Sequence, residues 1–173
     1  TGVATKVYEE RCGPGCKVVR IMPNTPMLVG EGMAVYCAGR FVTEGELDSV
    51  RGLLECCGKA ERLPERLMDQ VVAVTASSPA YVFVMIEAMA DAAVRMGIGR
   101  DLSLRLAAQS VLGSARMALE AGRHPAELKD MVCSPAGTTI EAIASLERNG
   151  FRGILMEAMD ACAKRAGELG KEG

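Results

Sequence analysis

Ser78-Pro79-Ala80-Tyr81-Val82-Phe83-Val84-Met85-Ile86-Glu87-Ala88-Met89-Ala90-Asp91-Ala92-Ala93-Val94-Arg95-Met96-Gly97 reads as one long helix, and what covers that helix decides the architecture. Ser78 can cap its start with Pro79 at the first position, and Gly97 can end it. Glu87, Asp91 and Arg95 are spaced by four and make one narrow charged stripe. Val82, Phe83, Val84, Met85, Ile86, Met89 and Val94 spread over the other faces, so the helix must be buried on most sides. A core helix within one chain is the plain explanation. A chain of 173 residues has limited material to wrap it, however, and the alternative is that part of this surface meets a second subunit.

Downstream of this helix the helical period persists and no strand signal recurs, which predicts five or six helices between Pro64 and the C terminus. Residues 102–121 carry Ala107, Ala108, Ser110, Gly113, Ser114, Ala115 and Ala118, small side chains that let helices approach closely, and Gly122 follows as a stop. Residues 125–132 read as a short helix, 140–149 as an amphipathic one and 153–169 as the last. Upstream, residues 17–22 and 33–38 read as strands. Thr43 with Glu46 predicts a capping box for a helix bearing Leu47, Val50, Leu54 and Cys57 on one face, with Gly58 as its stop and a strand at 59–63. Strand, strand, helix, strand is the tail of an α/β layer, with too few strands for a complete doubly wound sheet. The expected division is therefore 1–65 and 66–173, in a chain that is mainly α with segments upstream of it missing.

Composition narrows the function. With 49% apolar residues the chain can build a real core, and a net charge of −2 from interspersed signs gives no footprint for nucleic acid. The longest uncharged run, 71–86, is too short to cross a bilayer, so no membrane insertion is expected. Seven cysteines, an odd number without a repeated close pair, argue against a disulfide framework and for a reducing compartment. Cys12 and Cys16 miss the two-residue gap of a redox pair. His124 is the only histidine, so no zinc site is expected, and with Pro125 after it this residue more readily caps the next helix. The eleven methionines read as adaptable core filling. The first residues are not expected to be a secretory or transit leader, and since they look like a point within an element a leader further upstream stays open.

The stretch Ser134-Pro135-Ala136-Gly137-Thr138-Thr139 puts three hydroxyls and unhindered backbone amides where a helix begins. A helix start leaves its first N–H groups unpaired and carries the positive end of the peptide dipoles, which makes it a good seat for a carboxylate. The plainer reading is a cap, with Thr138 accepting an amide bond and Glu141 closing a capping box.

Four motifs taken together carry more. Met22-Pro23-Asn24-Thr25-Pro26, Ser78-Pro79-Ala80-Tyr81, His124-Pro125-Ala126-Glu127-Leu128-Lys129-Asp130 and Ser134-Pro135-Ala136-Gly137-Thr138-Thr139 resemble, in order and spacing, those of pyrroline-5-carboxylate reductases. The resemblance runs from about residue 17 to about residue 169. It implies a C-terminal remnant of a Rossmann-like dinucleotide-binding α/β domain (1–65), followed by an all-α dimerisation and substrate-binding domain, 6-phosphogluconate-dehydrogenase C-terminal-like (66–173). No Gly-x-Gly-x-x-Gly fingerprint occurs, so this chain is expected to be the C-terminal two-thirds of the enzyme, inactive alone.

The activity implied is reduction of 1-pyrroline-5-carboxylate to L-proline by NADPH or NADH, in a cytoplasmic homodimer with no metal. By resemblance, Ser134, Gly137, Thr138 and Thr139 bind the substrate, Ser134 and the amides around Gly137 and Thr138 holding its carboxylate. Thr139 also serves catalysis beside the ring nitrogen, and Met22, Pro23, Asn24 and Thr25 lie beside the nicotinamide. The chain departs from the family pattern at Ala136, where a glycine is usual, and at Ser78, also a usual glycine. If the first glycine of the turn needs a positive backbone dihedral, the alanine costs about 1 kcal/mol. His124, Lys129 and Asp130 are expected to be structural. The competing readings are a helical dimerisation module that binds no substrate, and another imine or hydroxy-acid reductase using Lys129 for proton transfer.

Overall fold

The computed structural model describes residues 1–172. The elements are α1 (Thr5–Cys12), β1 (Val19–Met22), β2 (Gly32–Ala38), α2 (Glu44–Glu55), β3 (Gly58–Arg62), α3 (Ser78–Arg95), α4 (Arg100–Glu120), α5 (Pro125–Val132), α6 (Thr138–Arg148) and α7 (Phe151–Glu172). The chain is mainly helical with one small sheet, as the pattern of elements predicts. It forms two compact units: Thr1–Ala80 together with the residues from Met156 onward, and Tyr81–Leu155.

In the first unit the strands lie in the order β1-β2-β3. β1 runs antiparallel to β2 with Met22 opposite Val35, whereas β2 and β3 run parallel with Gly32 beside Gly58. A parallel pair needs a crossover, and α2 supplies it. Ala34, Val35, Tyr36 and Cys37 are all buried. That is why β2 is a continuous apolar run instead of an alternating one. α2 begins at the expected capping box, in which the Glu46 carboxylate accepts the Thr43 N–H at 3.0 Å and the Thr43 hydroxyl at 2.8 Å. Gly58 does more than stop that helix. It opens β3 at φ +146°, and a Cβ there would lie 2.1 Å from the Gly32 carbonyl oxygen, so the parallel pair can begin only with this residue.

The core of this unit joins Met22, Val35 and Cys37 of the sheet to Met68, Val71 and Val72, with Ala166 of α7 against them. Beside it, Arg20, only 11% exposed, pairs with Asp69 and lies 3.9 Å from Glu65. The same Glu65 carboxylate accepts the Thr5 N–H and hydroxyl. That bond and Glu9 accepting the Arg40 N–H at 2.6 Å tie down α1, a helix the apolar pattern does not announce. Both partners come from far along the chain, where local periodicity cannot reveal them.

The start of α3 differs from expectation. Ser78 caps no free end, because a π-helical turn, Val72–Ala76, leads into the helix. Ser77 N–H bonds the Val72 carbonyl at 2.9 Å, five residues back. Val72–Arg95 is thereby one 24-residue helical stretch. It is long and apolar enough to cross a membrane by length and composition, which the shorter uncharged run 71–86 does not suggest. Three charged residues and cover by other helices are equally consistent with that composition.

In the second unit, α3 ends at Gly97, φ +96°, with Ile98 N–H bonding back to the Ala93 carbonyl at 3.1 Å. Ala90, Ser103 and Ala107 are buried, so small side chains do mark the close contacts. The large apolar ones are not covered: Phe83 is 61% exposed and Val84 66%, and Leu106, Leu112 and Leu119 are exposed as well. His124 caps α5, its Nδ1 accepting the Ala126 N–H at 3.2 Å.

Candidate active site

The hydroxyl-rich turn belongs to the second unit. Gly137 N–H bonds the Ser134 carbonyl at 3.0 Å, which closes a four-residue turn, and α6 begins at once with Thr138. The cap is Gly137, without any side-chain bond, so the capping box expected at Thr138 and Glu141 does not form. The reason is register. The helix starts two residues before 140, and Thr138 is already inside it, where its hydroxyl cannot reach forward to an orphan amide.

With the cap left to a glycine, the first amides of α6 have no side-chain partner. The hydroxyls of Ser134, Thr138 and Thr139 also form no hydrogen bond with other described residues. Ser134, Pro135, Ala136 and Thr138 are exposed, while Gly137 and Thr139 are half-buried. A Cβ at Gly137 would meet the Ser134 Oγ at 2.1 Å, so a side chain there would push that hydroxyl aside. The turn therefore gathers donors around an open helix tip and commits only the Gly137 N–H internally.

Ala136 has φ +55°, the only non-glycine residue with a positive φ among those described. The turn needs the left-handed dihedral that the motif's usual glycine would supply. Nearby, Lys129 is bonded to Asp130, which raises its pKa and keeps its ammonium charged.

The second candidate segment belongs to the first unit, at the carboxyl end of β1. Met22 is buried in the core and Pro23 and Thr25 are exposed. Asn24 uses both ends of its side chain: Oδ1 accepts the Met33 N–H at 2.9 Å and Nδ2 donates to the Thr75 carbonyl at 3.1 Å. Thr75 lies in the π-helical turn, and no sequence period pointed to its role. Because β1 runs against β2 and β3, this loop is at the edge opposite the carboxyl ends of the parallel pair, so the crevice rule for open α/β sheets applies to β1 alone. Among the described residues, no group of three or more His, Cys, Asp or Glu could hold a metal ion.

Residues 65–169 match the family model for pyrroline-5-carboxylate reductase dimerisation. The chain is 48% identical over 170 residues to the pyrroline-5-carboxylate reductase of Escherichia coli (strain K12), an alignment that covers 98% of this chain and 63% of that protein. It therefore spans less than two thirds of this relative's length. Among solved structures, the Plasmodium falciparum pyrroline carboxylate reductase with NADP bound superposes with a TM-score of 0.91 at 36% identity, covering 98% of this chain and 68% of that one. The Coxiella burnetii pyrroline-5-carboxylate reductase gives 0.93 at 34% identity, covering 97% and 63%. Sequence motifs, helical architecture and these relatives agree, and the chain belongs to the pyrroline-5-carboxylate reductase family.

Proposed function

We propose that this chain carries the substrate-binding and dimer-forming part of a cytoplasmic NAD(P)H-dependent reductase that converts 1-pyrroline-5-carboxylate to L-proline. The observation that carries the reading is the donor cluster at the tip of α6: free hydroxyls on Ser134, Thr138 and Thr139, unpaired amides from Thr138 on and the positive end of the helix, with Ser134 and Thr138 exposed and Thr139 half-buried. Ser134 and the free amides that follow Gly137, from Thr138 on, bind the ring carboxylate. Thr139 hydrogen-bonds the ring nitrogen and orients the C=N carbon. An iminium is already electrophilic, so holding the ring and excluding water supply much of the rate.

The reduced nicotinamide supplies the hydride when bound. The loop after β1 suits its neighbourhood: Asn24 fixes the backbone from both sides, leaving Pro23 and Thr25 exposed to meet a flat ring. Met22 supports the loop from the core, and Asn24 acts through the backbone it holds. The sequence contains no Gly-x-Gly-x-x-Gly, so these residues serve only the nicotinamide end of the dinucleotide.

The apolar faces of α3 and α4 supply a homodimer interface, and two copies cover what one leaves open. Titrating the isotope-labelled chain with L-proline tests the carboxylate seat. Amide shifts confined to 134–139 are expected. A silent turn at saturating proline overturns the reading and leaves a helical dimerisation module.

A further inference from the structure

The turn at Ser134 holds a conflict that its own contacts do not resolve. Pro135 cannot take a positive φ, no peptide bond among the described residues is cis, and Ala136 stands at +55° with the Ser134–Gly137 bond closed. Only a type II turn satisfies all of these. A type II turn wants glycine at its third position, because a Cβ there crowds the neighbouring carbonyl. A type I turn would keep the same Gly137-to-Ser134 hydrogen bond with Ala136 unstrained, and requires only that the Pro135–Ala136 peptide plane flip over. Ser134, Pro135 and Ala136 are exposed, so no packing offsets the strain. A strained residue persists where something else holds it.

We propose that Ala136 is a positioning residue that makes the substrate turn bistable: the type II form is the one that a bound carboxylate holds, and the unliganded turn relaxes by flipping the Pro135–Ala136 peptide. This rests on the carboxylate reading of the turn. The flip exchanges the Ala136 N–H and the Pro135 carbonyl between the two faces of the turn. A carboxylate on one face therefore meets a donor in one form and a repelling carbonyl oxygen in the other, a differential interaction of the kind a population shift requires. Binding must then supply the cost of the unfavourable form, which weakens the apparent affinity by the fraction of turns that are competent. The methyl group of Ala136 thereby sets how tightly the site holds its ligand, by setting how often the residue's own N–H faces it.

The test compares the native chain with Ala136→Gly, using L-proline as the probe. Glycine tolerates the type II dihedral, so the variant is expected to bind proline about fivefold more tightly, which corresponds to about 1 kcal/mol at 1.4 kcal/mol per tenfold. The nuclear Overhauser effect between Pro135 Hα and the amide proton of residue 136 reports the turn directly, being strong in type II and weak in type I. It is expected to be weak in the free native chain, to grow on adding proline, and to be strong in the variant throughout. Equal affinities, or an effect equally strong in both free chains, overturn the bistable turn and leave the carboxylate seat standing. No amide shifts in either chain overturn the seat itself and the coupling with it.

Discussion

The sheet-bearing unit and the helical unit bury their apolar residues to very different degrees. Met22, Val35, Cys37, Met68, Val71, Val72 and Ala166 form one contiguous core in the first. In the second, the buried positions are small ones, Ala90, Ser103 and Ala107, while Phe83, Val84, Leu106, Leu112, Leu119 and Ile154 face outward. The first unit has a core of large side chains of its own, although Leu28, Val29 and Leu53 stay exposed. The second is built to be closed by something else, which suits a match to a dimerisation family over 65–169.

Glutamate at that open face should break the contrast most. With Phe83→Glu and Leu106→Glu together, the proposed dimer has to bury unpaired charge, and its dissociation constant should rise at least about a hundredfold. Sedimentation velocity would show monomer at concentrations where the native chain pairs. Unchanged sedimentation would place the interface on another surface. Within the closed core, Met68 is fully buried, and Met68→Ala should cost about 2–5 kcal/mol through lost burial and a residual cavity. Urea unfolding followed at the sheet measures this.

These two cases also mark how much was legible in advance. The helices from Ser78 on, the strands around β2 and the Thr43–Glu46 box follow from period and capping residues, since those signals act within one or two turns. The covering of α3 does not, because an apolar stripe says that a face must be buried and not by what. α1 escaped notice for a related reason: Thr5 and Glu9 find Glu65 and the Arg40 amide only in three dimensions. At the site, a helix start and three hydroxyls could be read from 134–139, together with the conditional cost of Ala136. The cap on Gly137, the turn type and the commitment of Asn24 to Thr75 could not, because they depend on the helix register and on a π-helical turn without a sequence period.

A smaller perturbation separates site from scaffold. Gly137→Ala puts a methyl group against the flexible end of Ser134, at a backbone conformation of φ −81° that alanine accepts. Stability should therefore change by less than about 0.5 kcal/mol. Losing one bond to a charged group should weaken proline binding roughly tenfold as Ser134 swings aside. Calorimetric titration and thermal melting on the same variant check both halves.

The smallest effect is expected at Glu46. The Lys17 ammonium, followed by the Thr43 N–H and hydroxyl, lowers its pKa to about 2. The folded value lies below an unfolded one of about 4.3, so the carboxylate's contribution is complete above that pH and is lost as pH falls toward about 2. Glu46→Gln should flatten stability against pH over that acidic window and leave its slope near neutrality unchanged. Denaturation midpoints across the acid range would show it.

The two-ended grip of Asn24 has a mechanical consequence. The π-helical turn offers the Thr75 carbonyl to the Asn24 amide as well as to the Ser78 hydroxyl at 3.4 Å, and the other end of Asn24 holds the first residues of β2. Rewinding that turn into regular α-helix would draw Thr75 back into the helical ladder and unhook the segment after β1 from its anchor. Substitutions among Val72–Ala76 can thus loosen Pro23 and Thr25 at a distance, so that their effects would mimic substitution of those two residues while both stay intact.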